Sequence, residues 1–256
     1  MQWMVEKTSV VRKIWGRSDM ILFIFAGASA EFALNKAVDW LYFTGKLPAD
    51  PLARLFSTVA YARKIVFASL DEANEAIDAL RLIHTAVEQN RGSSIPDWAY
   101  RDVLFMLIHY SIVSYELLER KLSNEEKEDV FDVFYRVGAR MGLQQLPATY
   151  AEWLSVRDAH LAQDLQKSIY TTDLFRQYKK HLGSFRFILL VEGQKLVVPS
   201  MVNDLLGFRE HSVLTPVIAL YKLSRFMKID RFIRNLLLPS DYKKQINELD
   251  AYPGIG

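Results

Sequence analysis

Ala79–Gly92 reads Ala-Leu-Arg-Leu-Ile-His-Thr-Ala-Val-Glu-Gln-Asn-Arg-Gly. At helical spacing Ile77, Leu80, His84 and Val87 share one face, so one histidine stands in an otherwise apolar stripe. Gly92 follows where a helix C-terminus prefers glycine, and the pattern predicts a helix over 72–90. Upstream, Asp50–Thr58 reads Asp-Pro-Leu-Ala-Arg-Leu-Phe-Ser-Thr. Asp50 as N-cap and Pro51 at the first helical position open a helix over 51–69 that carries Arg54 and Thr58 on one face. Downstream, residues 99–120 are apolar nearly all round from Val103 to Ile112, the pattern of a central helix. That segment holds a second histidine, His109, in register with Phe105 and Ile112.

The same pattern extends in both directions. Ser18 or Asp19 can cap a helix from Met20 to about Asn35, and a short helix follows at 37–43. Ser123-Asn-Glu-Glu126 is a capping box opening a helix over 124–142. Thr149 with Glu152 opens 150–166. Further helices are predicted at 171–182, closed by Gly183, then at 185–196, at 200–206 ending at Gly207, and at 215–238. No strand alternation and no internal repeat is present. The expected architecture is all-α, a single multi-helix domain over 1–256 with an amphipathic lead (1–19) and a C-terminal tail (239–256).

Composition narrows the function. The chain has 256 residues and is 50% apolar, enough for a sizeable core. Its 11 glycines and 8 prolines are few for a turn-rich sandwich or barrel. Basic and acidic residues nearly balance at a net charge of +2, and no basic cluster with interleaved aromatics points to nucleic acid. Cysteine is absent, which excludes disulfides, zinc-thiolate and iron–sulfur sites, a cysteine nucleophile and a thiolate haem ligand. The apolar run Met20–Ala30 follows Lys7, Arg12, Lys13 and Arg17, as in a signal peptide. The lead is long, however, it contains Trp3 and Trp15, and Asp19 stands directly before the run. The run is also far shorter than the roughly 20 residues of a membrane span. It reads as a first core helix, and the protein is expected to be soluble and cytoplasmic.

The remaining chemistry is sparse. His84 can serve as a single neutral imidazole ligand to haem iron, with Leu80 and Val87 packing on the porphyrin and Glu88 available to orient the ring. It can equally be a core histidine. His109 is either a pocket residue or a core histidine bonded to nearby hydroxyls. His160, His181 and His211 follow ordinary polar patterns. Glu-x-x-His pairs for a di-iron site are missing, since Arg81, Met106 and Arg157 precede the relevant histidines at that offset. Zinc motifs, a nucleophile elbow and a glycine-rich phosphate loop are missing as well. In a buried pocket, Arg54 and Thr58 could donate hydrogen bonds to a polarised oxygen; on a surface, Arg54 would pair with Asp50.

Taken together, Asp-Pro-Leu-Ala-Arg54-Leu-Phe-Ser-Thr58, Arg81-Leu-Ile-His84 and Leu107-Ile-His109-Tyr resemble the latex-clearing-protein and MpaB-type oxygenase family. Arg136-Val-Gly-Ala-Arg-Met-Gly, Leu146-Pro-Ala-Thr and Leu196-Val-Val-Pro extend the likeness over about residues 10 to 240. The resemblance implies a globin-like helical core holding haem b, and oxidative cleavage of a hydrophobic, isoprenoid-type alkene with O2. Carried over by position, His84 becomes the proximal iron ligand, Leu80 and Val87 its flanking contacts, Arg54 and Thr58 distal-side catalytic residues, and His109 a further cofactor-side histidine. Rubber-cleaving members place a lysine before the motif threonine, where this chain has Ser57. They also use an upstream glutamate, for which Glu31 and Asp39 are the available carboxylates. The alternative is a helical haem or hydrophobic-ligand binding protein without turnover.

Overall fold

A computed structural model describes residues 2–43, 51–209 and 211–226, with the backbone alone at 41, 51–56 and 223–226. The helices are α1 (Val10–Trp15), α2 (Ser18–Phe32), α3 (Asp39–Phe43), α4 (Pro51–Phe67), α5 (Leu70–Arg91) and α6 (Asp97–Leu118). They continue as α7 (Asn124–Met141), α8 (Tyr150–Asp164), α9 (Ile169–Val197), α10 (Ser200–Leu206) and α11 (Thr215–Phe226). A 3-10 turn, Lys36–Val38, leads into α3. Among the described residues, β-type pairing is confined to the isolated bridges Trp3–Ser69 and Asn35–Leu165. The fold is all-α, as expected.

Most helix ends follow their local chemistry. Ser123 accepts from the Glu126 amide at 3.2 Å while Glu126 accepts from the Ser123 amide at 3.0 Å, closing the expected capping box. Thr149 caps α8 through the Glu152 amide at 3.2 Å. Gly92 ends α5 in the left-handed region at φ 68°, where a side chain would be strained. Two starts differ from expectation. The helix α5 begins at Leu70 because Ser69 forms a second capping box with Glu72. The helix α2 begins at Ser18, with Arg17 at the cap position; its side chain does not cap the helix but pairs with Asp19 and Glu119, and Asp19 accepts from the Met20 amide inside the first turn. The pair of helices expected at 171–182 and 185–196 is one element, α9, with Gly183 at φ 72° forming a kink and not a break. Asp50, the loop over 44–48, and residues 227–256 lie outside the described residues.

The core forms around α2 and α6, which lie against each other; α9 covers α2, while α7 covers α6. Large buried side chains such as Trp15, Ile21, Ile24, Phe105 and Ile108 fill the contact. The approach is closest at Gly27, where a Cβ would overlap the Tyr110 ring. Close by, the fully buried Tyr110 donates to Glu31 Oε2 at 2.8 Å, and Arg157 of α8 makes a two-pronged pair with the same carboxylate. Glu31 and Arg157 are 1% and 3% exposed, so each charge depends on the other. One carboxylate on α2 thereby joins α6 and α8.

Gly27→Ala is expected to destabilise the protein by about 1–3 kcal/mol, because the added methyl must displace Tyr110 from a packed core. Urea unfolding of the variant beside the parent measures this, and coincident midpoints would show slack between α2 and α6.

Candidate functional site

A cavity of about 340 Å3 lies among α2, α4, α5, α6 and α7. Its wall is mainly hydrocarbon and aromatic: Ile24 and Phe25 from α2, Val59 and Ile65 from α4, Val103 and Leu107 from α6, and Phe134 from α7. The stripe read on α5 faces into it, for Leu80, His84 and Val87 all line the cavity, with Ile77 fully buried one turn before. Ser57 and Thr58 of α4, Ile83 of α5 and Val103 of α6 line it and are also exposed, so among the described residues these mark its solvent side.

The His84 ring sits edge-on to Tyr100 of α6, with centroids 5.1 Å apart. Glu88, one turn after His84, accepts from the Tyr100 hydroxyl at 3.2 Å and from the Ile95 amide at 2.8 Å. It therefore anchors the α5–α6 loop and the neighbouring tyrosine, placing Tyr100 against the imidazole. Burial, and the charge of Glu88, push the Tyr100 phenol up, so it stays a protonated donor.

Titratable groups on the described wall are few: His84, Tyr61, Tyr100 and Tyr178. No carboxylate is among the described lining residues. The two acids available from the sequence are engaged elsewhere. Glu31 is held by Arg157 and Tyr110 in the core. Asp39 pairs with Arg91 at 2.7 Å, and the Arg91 guanidinium lies 3.9 Å over the Trp40 ring, itself part of the cavity wall. Arg54 lies one turn before Thr58 on α4, but its side chain is outside the described residues.

His109 is not among the residues that line this cavity. It lies two residues beyond Leu107, which rotates it roughly 200° around α6. It shares the stripe of Phe105, whose ring packs edge-on against Trp153 and His160 of α8. Its Nε2 is buried without a hydrogen bond. Burial, with a smaller contribution from the Arg157 charge, pushes the His109 imidazole down to about 3. It is thus a neutral core imidazole at neutral pH.

A constellation not anticipated from the sequence lies on that side of α6. His160 Nδ1 is 2.5 Å from Asp164 Oδ2 and 2.9 Å from Asp102 Oδ1, and Asn35 donates to Asp102 Oδ2 at 2.5 Å. The signal available in the sequence was the spacing His160-x-x-x-Asp164, together with an aspartate directly before the apolar run of α6. The meeting of α6 with α8 decides the rest.

The comparisons with known proteins are consistent with this geometry. Residues 12–230 match the family model described as "ER-bound oxygenase mpaB/B'/Rubber oxygenase, catalytic domain". The chain belongs to this family. It carries an oxygenase-type catalytic domain, and among its described residues no helix is long and apolar enough to cross a membrane. Neither the curated proteins nor the solved structures contain a match to it.

The state of His109 has a consequence for acid stability in this oxygenase-family chain. Its pKa in the fold lies below the unfolded value near 6.5, so between about pH 6.5 and 3 the unfolded chain binds the extra proton. Stability from this group is complete above that window and falls as the pH drops through it. Lowering the pH from 7 to 5 should remove about 2 kcal/mol through His109. His109→Gln should lose correspondingly less over the same interval, as urea midpoints at the two pH values will show.

Proposed function

We propose that the chain is a haem b-dependent oxygenase, with His84 as the proximal iron ligand and a small hydrophobic alkene of the isoprenoid type as substrate. The observation that carries this reading is the placement of His84. It is an imidazole on the wall of an apolar cavity, flanked one turn to either side by Leu80 and Val87. A porphyrin needs such a setting: one neutral nitrogen donor, aliphatic contacts for the ring, and little competing charge. Tyr100 against the ring edge, tied to Glu88, restricts how the imidazole can turn.

Haem bound at His84 supplies the site for binding and activating O2. The rest falls to the chain's own side chains. The aliphatic and aromatic walls exclude water and hold an alkene by apolar contact. Thr58, lining the cavity from the facing helix, places a hydroxyl at the wall, and Arg54 is assigned with it to the distal side by position on α4. With Glu31 and Asp39 held elsewhere, the described wall offers hydroxyls and amides, and no carboxylate, to act beside Arg54 in orienting a reacting oxygen. That feature also favours a second reading, a haem or hydrophobic-ligand carrier without turnover.

The test is an absorption spectrum with a pyridine haemochrome assay on the purified protein and on His84→Ala. Near-stoichiometric haem b in the parent, and its loss in the variant, are expected. A variant that keeps full haem with an unchanged spectrum would overturn the ligand assignment, and a parent that rejects supplied haemin would overturn the cofactor. Oxygen uptake by the haem-loaded protein with a reductant and isoprenoid alkenes separates enzyme from carrier: consumption supports the oxygenase, and none with any alkene supports the carrier.

A further inference from the structure

Asp102 is an ionisable residue in the second turn of α6, directly before its apolar run, and it is 2% exposed. One carboxylate oxygen, Oδ2, accepts from Asn35 Nδ2 at 2.5 Å. The other, Oδ1, is buried with no donor well aligned on it. It faces His160 Nδ1 at 2.9 Å, but that nitrogen is aligned with Asp164 Oδ2 at 2.5 Å. A ring nitrogen carries at most one proton, so the two carboxylates at best share it. Asp102 Oδ1 therefore receives at most a share of one proton, and it converges with the other two ligand-type atoms, all within 4.8 Å of one another.

The charges are also unbalanced. Two carboxylates face one imidazole, which at most carries a single positive charge. Asp164 is the last residue of α8, where the free carbonyls of a helix end already disfavour an anion. The neighbouring cations make their hydrogen bonds elsewhere, although the Arg157 charge also reaches Asp102: Arg157 forms its two-pronged pair with Glu31, and Lys36 donates to the Gln163 carbonyl. A divalent cation with a neutral imidazole and two carboxylates leaves the three-residue cluster uncharged.

We propose that Asp102, His160 and Asp164 form a binding site for a divalent transition-metal cation. One nitrogen and two carboxylate oxygens are a donor set that suits Zn2+ and its borderline-hard neighbours. His160 and Asp164, four residues apart on α8, present their atoms from one helix face, and Asp102 closes the site from α6. Four-coordinate ligand atoms stand roughly 3.4 Å apart at zinc bond lengths. A small outward swing of Asp164, the most exposed of the three at 17%, provides that spacing and the route of entry. Asn35 holds the Asp102 carboxylate in orientation while also lining the large cavity. The metal would thus pin α6 to α8 at a position separate from His84.

The test is calorimetric titration of Zn2+ into the full-length protein as purified, after dialysis against EDTA and then buffer. One equivalent is expected in the parent and in His84→Ala, with binding weakened about tenfold or more in His160→Gln and in Asp164→Asn. Zn2+ should also raise the melting temperature of the parent but not of Asp164→Asn. That variant removes an anion from a helix C-terminus, so its fold is not in question. Absence of binding in the parent overturns the site, leaving a protonated ion-pair cluster. So does an equivalent retained in both cluster variants, which would place the ion on other residues.

Discussion

The buried pair between Glu31 and Arg157 constrains the rest of the molecule. Neither side chain reaches solvent, and Tyr110 adds a hydroxyl to the same carboxylate. Desolvating two charges costs several kcal/mol each, so such a pair contributes little net stability, but breaking it leaves an uncompensated buried ion at about 3–5 kcal/mol. It therefore selects one arrangement of α2, α6 and α8 and penalises others. Gly27, four residues before Glu31, lets α2 approach the Tyr110 ring closely enough for that hydroxyl to arrive. The glycine and the ion pair act as one device.

With α2 and α6 locked, α4 and α5 complete a wall around the remaining apolar space. The cavity persists because its lining side chains belong to helices fixed by contacts on their other faces: Trp15, for example, lines the cavity and bonds Ser111 through its indole nitrogen at 3.1 Å. A space enclosed this way has few polar groups on its described wall, most of them on α4, α5 and α6. That economy is what a hydrophobic ligand requires, and it makes the lone imidazole conspicuous.

The two faces of α6 separate two kinds of chemistry. Val103 and Leu107 face the cavity, whereas Phe105 faces α8, where His160 and the aspartates lie. Asn35 touches both sides, as a lining residue and as a donor to Asp102. A change at the aspartate cluster could thus reach the cavity wall through a single amide.

Local sequence determined the helices, because capping and periodicity act over a few residues: the Ser123–Glu126 box, Thr149, and the glycines after α5 and α10 all stand where their chemistry placed them. It also determined that Leu80, His84 and Val87 share a face, since helical geometry alone settles that. Membership of the oxygenase family was legible for the same reason, being carried by short motifs in order. The tertiary structure alone decided which faces meet. It turned His109 away from the cavity, engaged Glu31 and Asp39 with arginines distant in sequence, and brought Asp102 to His160 across 58 residues of chain. Those outcomes depend on helix rotation and on partners far along the chain, which no local pattern encodes.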